Sequence, residues 1–401
     1  MRQHSYLNSA VKIIEAYDGK EPLPGFLKKK FASDKKYGSK DRKYIASLCY
    51  YYYRLGHAMR TVPAEERIMS AAFLCEQQSS EFLRFHKPEW NEWVEKAVSE
   101  KLRLLGIDPH NIFPWLTELS DGTDPDSFCL SFLRQPDLFL RVRPGKNEIV
   151  LKKLSEAGIA FQTPADDCIA LPNATKLDGI IDPDKEAMVQ DYHSQQVLNV
   201  LKHPAAGNPQ PVSVWDCCAA SGGKSLLAYD ILDGKISLTV SDIRESILAN
   251  LKKRFNAAGI KNYHSFIADL QTSSRKPPAT NLQPQTYPER SRRTNFDLII
   301  CDAPCTGSGT WSRTPEQLYF FKKEMIKEYA DKQKQIVSNV IPHLSANGMF
   351  IYITCSVFRQ ENEEVANFLK EKFHLRLLQM ELLKGYNKRA DSMFTAAFVK
   401  E

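Results

Sequence analysis

Hydrophobic positions change their spacing along the chain. Through YIASLCYYYYRLGHAM and WNEWVEKAVSEKLRLLG they recur every three or four residues, which is typical of amphipathic helices. Residues 1–125 are therefore predicted to form a helical domain. The run LFLRVRPG alternates, EIVLKKLSEAG has a helical pattern, and short strands follow. This predicts a small α+β domain over 126–187, with a turn at Pro144-Gly145.

From residue 188 onward, short apolar runs alternate with helical patterns. The apolar runs are VSVWDC, ISLTVSD, NYHSFIAD, FDLIICDA and MFIYITCS, and helical runs such as RESILANLKKRFNAAG separate most of them. The alternation predicts a doubly wound α/β domain over 188–401, with a parallel sheet covered on both faces. DSMFTAAFVKE predicts a final strand. Residues 271–294 are rich in proline and polar residues, which predicts a disordered insertion.

Residues able to do chemistry stand at the ends of the predicted strands. In a doubly wound sheet, ligands bind beyond the carboxyl ends of the strands. The candidate site residues are therefore Asp216, Asp242, Asp269, Asp302 and Cys355. One such aspartate often only caps the next helix. Several in register indicate a shared site.

A turn of small residues follows the first of these strands. It consists of Cys218, Ala219, Ala220, Ser221, Gly222, Gly223 and Lys224. Glycines let the backbone approach a ligand closely. A phosphate-binding loop is disfavoured because its first glycine position holds Cys218, and the dinucleotide pattern G-x-G-x-x-G is absent. An S-adenosylmethionine site remains, in which Asp242 would bind the ribose hydroxyls and Asp269 the adenine amino group.

Charge and cysteine content narrow the class of protein. The net charge is +6, and residues 25–56 hold nine Lys or Arg against two acids. This fits a polyanionic partner, although a solvated helix face explains it equally well. No secretory signal and no apolar stretch of about 20 residues is found, so a cytoplasmic location without membrane contact is expected. The cysteines are expected to be reduced, and their spacing does not predict a metal site.

Two cysteines lie just past predicted strand ends: Cys305 in DAPCTGSGTW and Cys355 in FIYITCS. Cysteines that merely fill the core are the alternative. With these motifs the chain resembles the RsmB/Sun (Fmu) family of RNA cytosine-5 methyltransferases, through VQDYHSQQV, DCCAASGGKS, FDLIICDAPCTGSGTW, GMFIYITCSVFRQENEEV and DSMFTAAFV. KKYGSKDRKYIASLCYYYYR also resembles the helical RNA-binding domain of the ribosomal RNA branch.

The resemblance implies a Rossmann-like class I methyltransferase that uses S-adenosylmethionine to methylate cytosine in RNA, with ribosomal RNA expected and transfer RNA the closest rival. It implies cofactor binding at residues 218–224 and at Asp242, Asp269 and Asp302. It also implies a nucleophilic role for Cys355 and a product-release role for Cys305. Ser221 departs from the family, which usually has proline there.

The chemistry explains these residue types, because carbon 5 of cytosine is too electron-poor to take a methyl group directly. A thiolate must first add to carbon 6. A hydrogen bond near ring nitrogen 3 must then stabilise the intermediate, and Asp302 can donate it when protonated. Lys224 is the candidate for lowering the pKa of Cys355.

Other functions stay open at this point. A non-catalytic RNA-binding protein with this fold is disfavoured by the presence of both cysteines and the acids. A DNA cytosine methyltransferase could use Cys305 as its nucleophile, but Cys355 would then have no role. Trp311 and Arg313 could hold a flipped cytosine or could be ordinary packing and surface residues. Nothing indicates an obligate protein partner.

Overall fold

Helices make up the first part of the chain, as the spacing of its apolar residues predicts. In the computed structural model, they are α1 (Arg2–Glu15), α2 (Leu23–Ser33), α3 (Ser39–Arg54), α4 (Ala64–Cys75), α5 (Glu81–His86), α6 (Pro88–Asn91), α7 (Val98–Leu104) and α8 (Pro125–Ser131). The structure describes residues 2–34, 36–202, 211–272 and 295–401. Almost all of the predicted insertion 271–294 lies outside the described residues.

Backbone contacts divide the chain into two units. The first comprises Met1–Pro136 and Thr310–Lys323, and the second comprises Asp137–Gly309 and Glu324–Glu401. Residues 126–136 are thus grouped with the helices, and 137–187 with the later sheet. The three-domain division at 125 and 187 stays a prediction.

A buried arginine forms hydrogen bonds that connect Thr310–Lys323, the later segment of the first unit, to its helices. Arg54 is 2% exposed, and its guanidinium donates to the carbonyl oxygens of Phe132 at 2.8 Å and Ser312 at 3.0 Å. Such bonds offset the cost of burying the charge. Trp311, in the same segment, is 1% exposed, and its ring centroid lies 4.7 Å from that of Phe321. Trp311 is therefore a packing residue rather than an exposed platform for a base.

The second unit begins with a small antiparallel sheet. Its elements are β1 (Leu138–Val142), α9 (Asn147–Glu156), β2 (Gln162–Ala165), β3 (Cys168–Leu171) and β4 (Ala187–Val189), and the strand order is β2-β3-β1-β4. The turn after β1 contains Gly145, whose φ of +71° suits glycine. Leu140, Val150 and Leu154 are buried in the core of this region. The predicted α+β pattern is confirmed here.

A seven-stranded sheet follows, in the order β10-β11-β9-β8-β5-β6-β7. The strands are β5 (Val212–Asp216), β6 (Ile236–Asp242), β7 (Tyr263–Ile267), β8 (Phe296–Asp302), β9 (Leu344–Thr354), β10 (Arg376–Leu383) and β11 (Met393–Val399). The helices are α10 (Gly223–Ile231), α11 (Glu245–Ala257), α12 (Pro315–Phe320, grouped with the first unit), α13 (Glu324–Val340) and α14 (Glu363–Phe373). This is a Rossmann-like fold, as predicted.

The sheet is mixed rather than wholly parallel. Strands β5 to β9 pair in parallel, whereas β11 runs antiparallel to both β9 and β10. The short connection between β10 and β11 allows a hairpin but no crossover, which a parallel pair would need. From β5 the chain builds β6 and β7 on one side, then β8 and β9 on the other. A crevice for ligands is therefore expected where β5 and β8 end.

Among the helices that the structure describes, none has the length and apolar character needed to span a lipid bilayer.

Candidate active site

The two cysteines singled out from the sequence lie side by side. β8 and β9 are parallel neighbours, with Asp302 opposite Ile353, so the loops that follow them leave the same edge of the sheet. Cys305 and Cys355 stand in these two loops, and their sulfur atoms are 3.2 Å apart. Both are reduced and only partly buried. Both cysteines thus stand just past strand ends at the same edge of the sheet.

A buried glutamate holds the two cysteine loops together. The Glu361 carboxylate accepts hydrogen bonds from the Thr306 amide at 2.9 Å, the Thr306 hydroxyl at 2.5 Å, the Ser356 hydroxyl at 2.6 Å and the Gln333 side chain at 2.9 Å. Glu361 is fully buried. Burial raises the pKa of Glu361, and the hydrogen bonds act against that rise. Thr306 and Ser356 each follow one of the cysteines, so Glu361 fixes the separation between the loops.

A glycine allows the first loop to pass close to the second. The Gly309 amide donates to the Cys355 carbonyl oxygen at 2.9 Å. A Cβ atom at Gly309 would lie 2.1 Å from the Ser392 carbonyl oxygen, so no other residue fits without a shift of the backbone. The Ser308 hydroxyl also accepts a bond from the Val357 amide at 2.9 Å.

An ion pair stands at the start of α10 and the end of β8. The Lys224 ammonium lies 2.9 Å from the Asp302 carboxylate, and the two side chains are 14% and 27% exposed. Burial alone would lower the pKa of Lys224, but the charge and hydrogen bond of Asp302, with contributions from Cys355 and Asp216, raise it. Lys224 therefore keeps its positive charge, and Cys355 is among the groups close enough to act on it.

Asp216, at the end of β5, is fully buried and accepts a 2.6 Å hydrogen bond from the Ser225 hydroxyl. Burial raises its pKa to about 7. Asp216 is therefore a buried residue and not an exposed ligand.

The small-residue turn, residues 218–224, is held by hydrogen bonds on one side and is open on the other. The Ala219 amide donates to the Ser241 carbonyl oxygen at 2.9 Å, and the Ala220 amide donates to the Asp242 carboxylate at 3.0 Å. A Cβ atom on Gly222 would meet the Phe255 ring at 2.7 Å, whereas one on Gly223 would meet nothing within 4 Å. The open side at Gly223 leaves space for a ligand against the backbone.

The two remaining acids lie at the end of β6 and just past β7. Asp242 is 6% exposed, and it accepts bonds from the backbone amide of Arg244 at 2.9 Å and its guanidinium at 3.1 Å. The Arg244 side chain is 58% exposed, so a ligand can displace it without opening the core. Asp269 stands two residues past the end of β7 and accepts a 3.0 Å bond from the Gln271 amide.

A second group of thiols was not apparent from the sequence. The sulfur atoms of Cys217, Cys218 and Cys301 lie within 4.8 Å of one another, because β5 and β8 are adjacent strands. Hydrogen bonds from Cys217 and Cys218 lower the pKa of Cys301 to about 6. Three sulfur ligands suit a soft metal ion but leave a tetrahedral zinc site incomplete. The absence of a metal stays a prediction.

Comparison with known proteins agrees with this fold. Residues 205–398 match the family described as 16S rRNA methyltransferase RsmB/F. Over 251 residues the chain is 27% identical to a probable ribosomal RNA small subunit methyltransferase B of Bacillus subtilis, a match that covers 61% of this chain and 52% of that protein. The chain thus spans about half the length of this curated relative.

Two solved structures share the fold. PH0851 covers 99% of this chain and 98% of its own, with a TM-score of 0.69 and 17% identity. NSun6 from Pyrococcus horikoshii, solved with SFG, covers 73% of this chain and 96% of its own, with a TM-score of 0.57 and 14% identity. At these identities the likeness shows the fold alone.

Proposed function

Residues 205–398 belong to the 16S rRNA methyltransferase RsmB/F family, as the motifs predict. On this basis we propose that the protein transfers a methyl group from S-adenosylmethionine to carbon 5 of a cytosine in RNA. The proposed substrate is ribosomal RNA. The observation that carries the proposal is the pair of thiols, Cys305 and Cys355, with sulfurs 3.2 Å apart. They stand at the same edge of the sheet as the Lys224–Asp302 ion pair.

The residues beyond β5 and β6 suit the cofactor. The open backbone at Gly223 can lie against it, and the Asp242 carboxylate can accept bonds from the ribose hydroxyls once the Arg244 guanidinium moves aside. Asp269 is assigned to the adenine amino group. S-adenosylmethionine supplies the electrophilic methyl group when bound. The related fold of NSun6, solved with the cofactor analogue SFG, supports this assignment.

Cys355 is assigned as the nucleophile. A thiolate, not a thiol, attacks carbon, and a nearby positive charge favours the thiolate. Lys224 supplies that charge, since its pKa is raised and Cys355 contributes to the rise. The hydrogen bond with Cys355, followed by burial, raises the pKa of Cys305 well above its usual value. Of the two sulfurs, Cys355 is the one whose charge acts on Lys224, which favours it as the sulfur that bonds to carbon 6.

Addition at carbon 6 places negative charge on ring nitrogen 3. Asp302, which pairs with the Lys224 ammonium at 2.9 Å, is assigned to that nitrogen, toward which it can donate a hydrogen bond when protonated. Carbon 5 then accepts the methyl group. In the release step a base takes the proton on carbon 5, the C–H electron pair re-forms the double bond between carbons 5 and 6, and the Cys355 sulfur leaves as a thiolate. Cys305, beside that sulfur, is assigned to this step.

The target cytosine must leave its stack to reach these residues, so an unpaired or flippable base is expected. The first unit offers a surface for the phosphate backbone. Lys28 and Lys29 on α2, with Lys40 and Lys43 on α3, are exposed. Such side chains bind RNA through its phosphates without reading sequence.

The proposal is tested by methylation of RNA from a strain that lacks this gene. Purified protein and S-adenosylmethionine are incubated with ribosomal and transfer RNA separately, and bisulfite sequencing locates cytosines that become resistant to deamination. We expect a newly resistant position in small-subunit ribosomal RNA and none with Cys355→Ala. A resistant position in transfer RNA alone would move the substrate to that class. Transfer to any atom other than carbon 5 would refute the proposed reaction.

A further inference from the structure

The turn of residues 218–224 has an unusual backbone around Ser221. Ala220 has a φ of +44° and Gly222 a φ of +84°, so left-handed residues stand on both sides of Ser221. This conformation is unfavourable for alanine and persists only where the surroundings hold it. Ser221 also stands where the resembled family usually has proline, whose ring would stiffen the backbone. Some other restraint must replace that ring.

An arginine on α11 supplies contacts to Ser221. The Arg254 guanidinium donates from Nη1 to the Ser221 carbonyl oxygen at 3.0 Å and to its hydroxyl at 3.1 Å. The other edge of the guanidinium binds Asp184: Nε lies 3.0 Å from both carboxylate oxygens, and Nη2 lies 2.7 Å from Oδ1. The rigid guanidinium can hold such a two-sided geometry, which lysine cannot.

Asp184 is itself fixed by the small sheet. Its amide donates to the Ala187 carbonyl oxygen at 2.9 Å, and its own carbonyl oxygen accepts a 2.7 Å bond from Arg143. The Arg143 guanidinium also lies 2.9 Å from the carboxylate of Asp230 in α10. The contacts thus run from the small sheet through Asp184 and Arg254 to Ser221.

We propose that Arg254, held by Asp184, is a positioning residue for the cofactor-binding turn. Its two bonds to Ser221 keep residues 218–224 in the shape that leaves the backbone at Gly223 open to S-adenosylmethionine. This inference rests on the proposed function. Proline at position 221 would provide the same restraint through its ring, so Ser221→Pro makes Arg254 dispensable.

The test compares three variants by calorimetric titration with S-adenosylmethionine and by kcat at saturating cofactor. Arg254→Met should raise the Kd about tenfold or more, as the loss of about one to two net hydrogen bonds predicts, with kcat changed much less. Lys253→Met, the exposed neighbour on α11, should behave as wild type. Ser221→Pro introduced into Arg254→Met should restore most of the affinity, since Ser221 donates no amide hydrogen bond within the described ranges that proline would remove.

If Arg254→Met does not fold, Arg254→Lys replaces it in the test, because lysine keeps the positive charge beside Asp184. Arg254→Lys should give an intermediate Kd. An unchanged Kd in folded Arg254 variants would overturn the inference, as would affinity that Ser221→Pro fails to restore. Both outcomes leave the proposed function intact. Wild-type protein that binds no S-adenosylmethionine would overturn the proposed function, and this inference with it.

Discussion

Glu361 provides a direct way to separate the two cysteine loops without touching either cysteine. Its carboxylate accepts four hydrogen bonds. In Glu361→Gln the side-chain NH₂ replaces one acceptor oxygen and faces donors. The hydroxyls of Thr306 and Ser356 can turn toward Ser308, which lies 3.3 and 3.2 Å from them. The amide oxygen can take the Oε2 position and keep the bonds from the Thr306 amide and the Gln333 side chain, so the bonds lost are those of the two hydroxyls to Oε1.

The expected cost follows from these donors. Each hydroxyl loses a hydrogen bond to a charged acceptor, which contributes about 1.5–3 kcal/mol, so the two together cost about 3–6 kcal/mol. Burial raises the pKa of Glu361, so its charge is costly, and removing that charge recovers part of the loss. We expect about 2–3 kcal/mol net, or roughly 4–12 °C in Tm at about 2–4 °C per kcal/mol. Because the loops then separate, kcat for RNA methylation should fall at least about tenfold.

The assay is thermal unfolding together with steady-state methylation at saturating S-adenosylmethionine. Glu364→Gln is the matched control, because Glu364 lies three residues further along the chain, in the first turn of α14, and is exposed. It should change neither quantity. A Glu361→Gln variant with wild-type melting and wild-type kcat would refute the reasoning that this network sets the positions of the cysteines.

Three further predictions follow from the site. Asp242→Ala should weaken S-adenosylmethionine binding about tenfold or more, because a charged acceptor contributes about 1.5–3 kcal/mol per bond. Calorimetric titration measures this, and an unchanged affinity in a folded variant would show that Asp242 does not bind the cofactor. The pKa of Asp216 is raised from 3.8 to about 7, so this residue stabilises the folded state at low pH. That stabilisation is lost as pH rises from about 4 to about 7. Asp216→Asn should therefore gain up to about 4 kcal/mol relative to wild type across that range, and urea denaturation at pH 4 and pH 8 showing the same difference would contradict this. Oxidation with diamide should form a disulfide between Cys305 and Cys355 and stop methylation until dithiothreitol reduces it. If thiol labelling found both cysteines free after inactivation, that result would contradict their 3.2 Å separation.

The elements that the sequence predicted well are those with strong local patterns. Strands β5 to β9 and β11 each match a predicted apolar run. β10 was missed because RLLQMELL lacks a clear alternation, and as an edge strand it leaves Leu378 and Met380 exposed. Its pairing with β11 is decided by the hairpin, which a local pattern does not reveal.

The site was predictable only where residues stand at strand ends. Cys305 and Cys355 could be placed together because parallel strands end at one edge. Glu361 gave no such signal, since it lies in the loop between β9 and α14 and bonds to residues far along the chain. The same holds for Arg254, which reaches Ser221 only after α11 packs onto the sheet.

The central claim is that Cys355 forms the covalent bond and Cys305 permits its release, and trapping of an RNA–protein adduct tests it most directly. Each alanine variant is incubated with S-adenosylmethionine and ribosomal RNA, then run on denaturing gels with and without ribonuclease. Cys355→Ala should give neither adduct nor methylated RNA. Cys305→Ala should accumulate a slow-migrating, ribonuclease-sensitive species that contains the methyl group. An adduct that forms with Cys355→Ala instead would show that Cys305 is the nucleophile and would contradict the account.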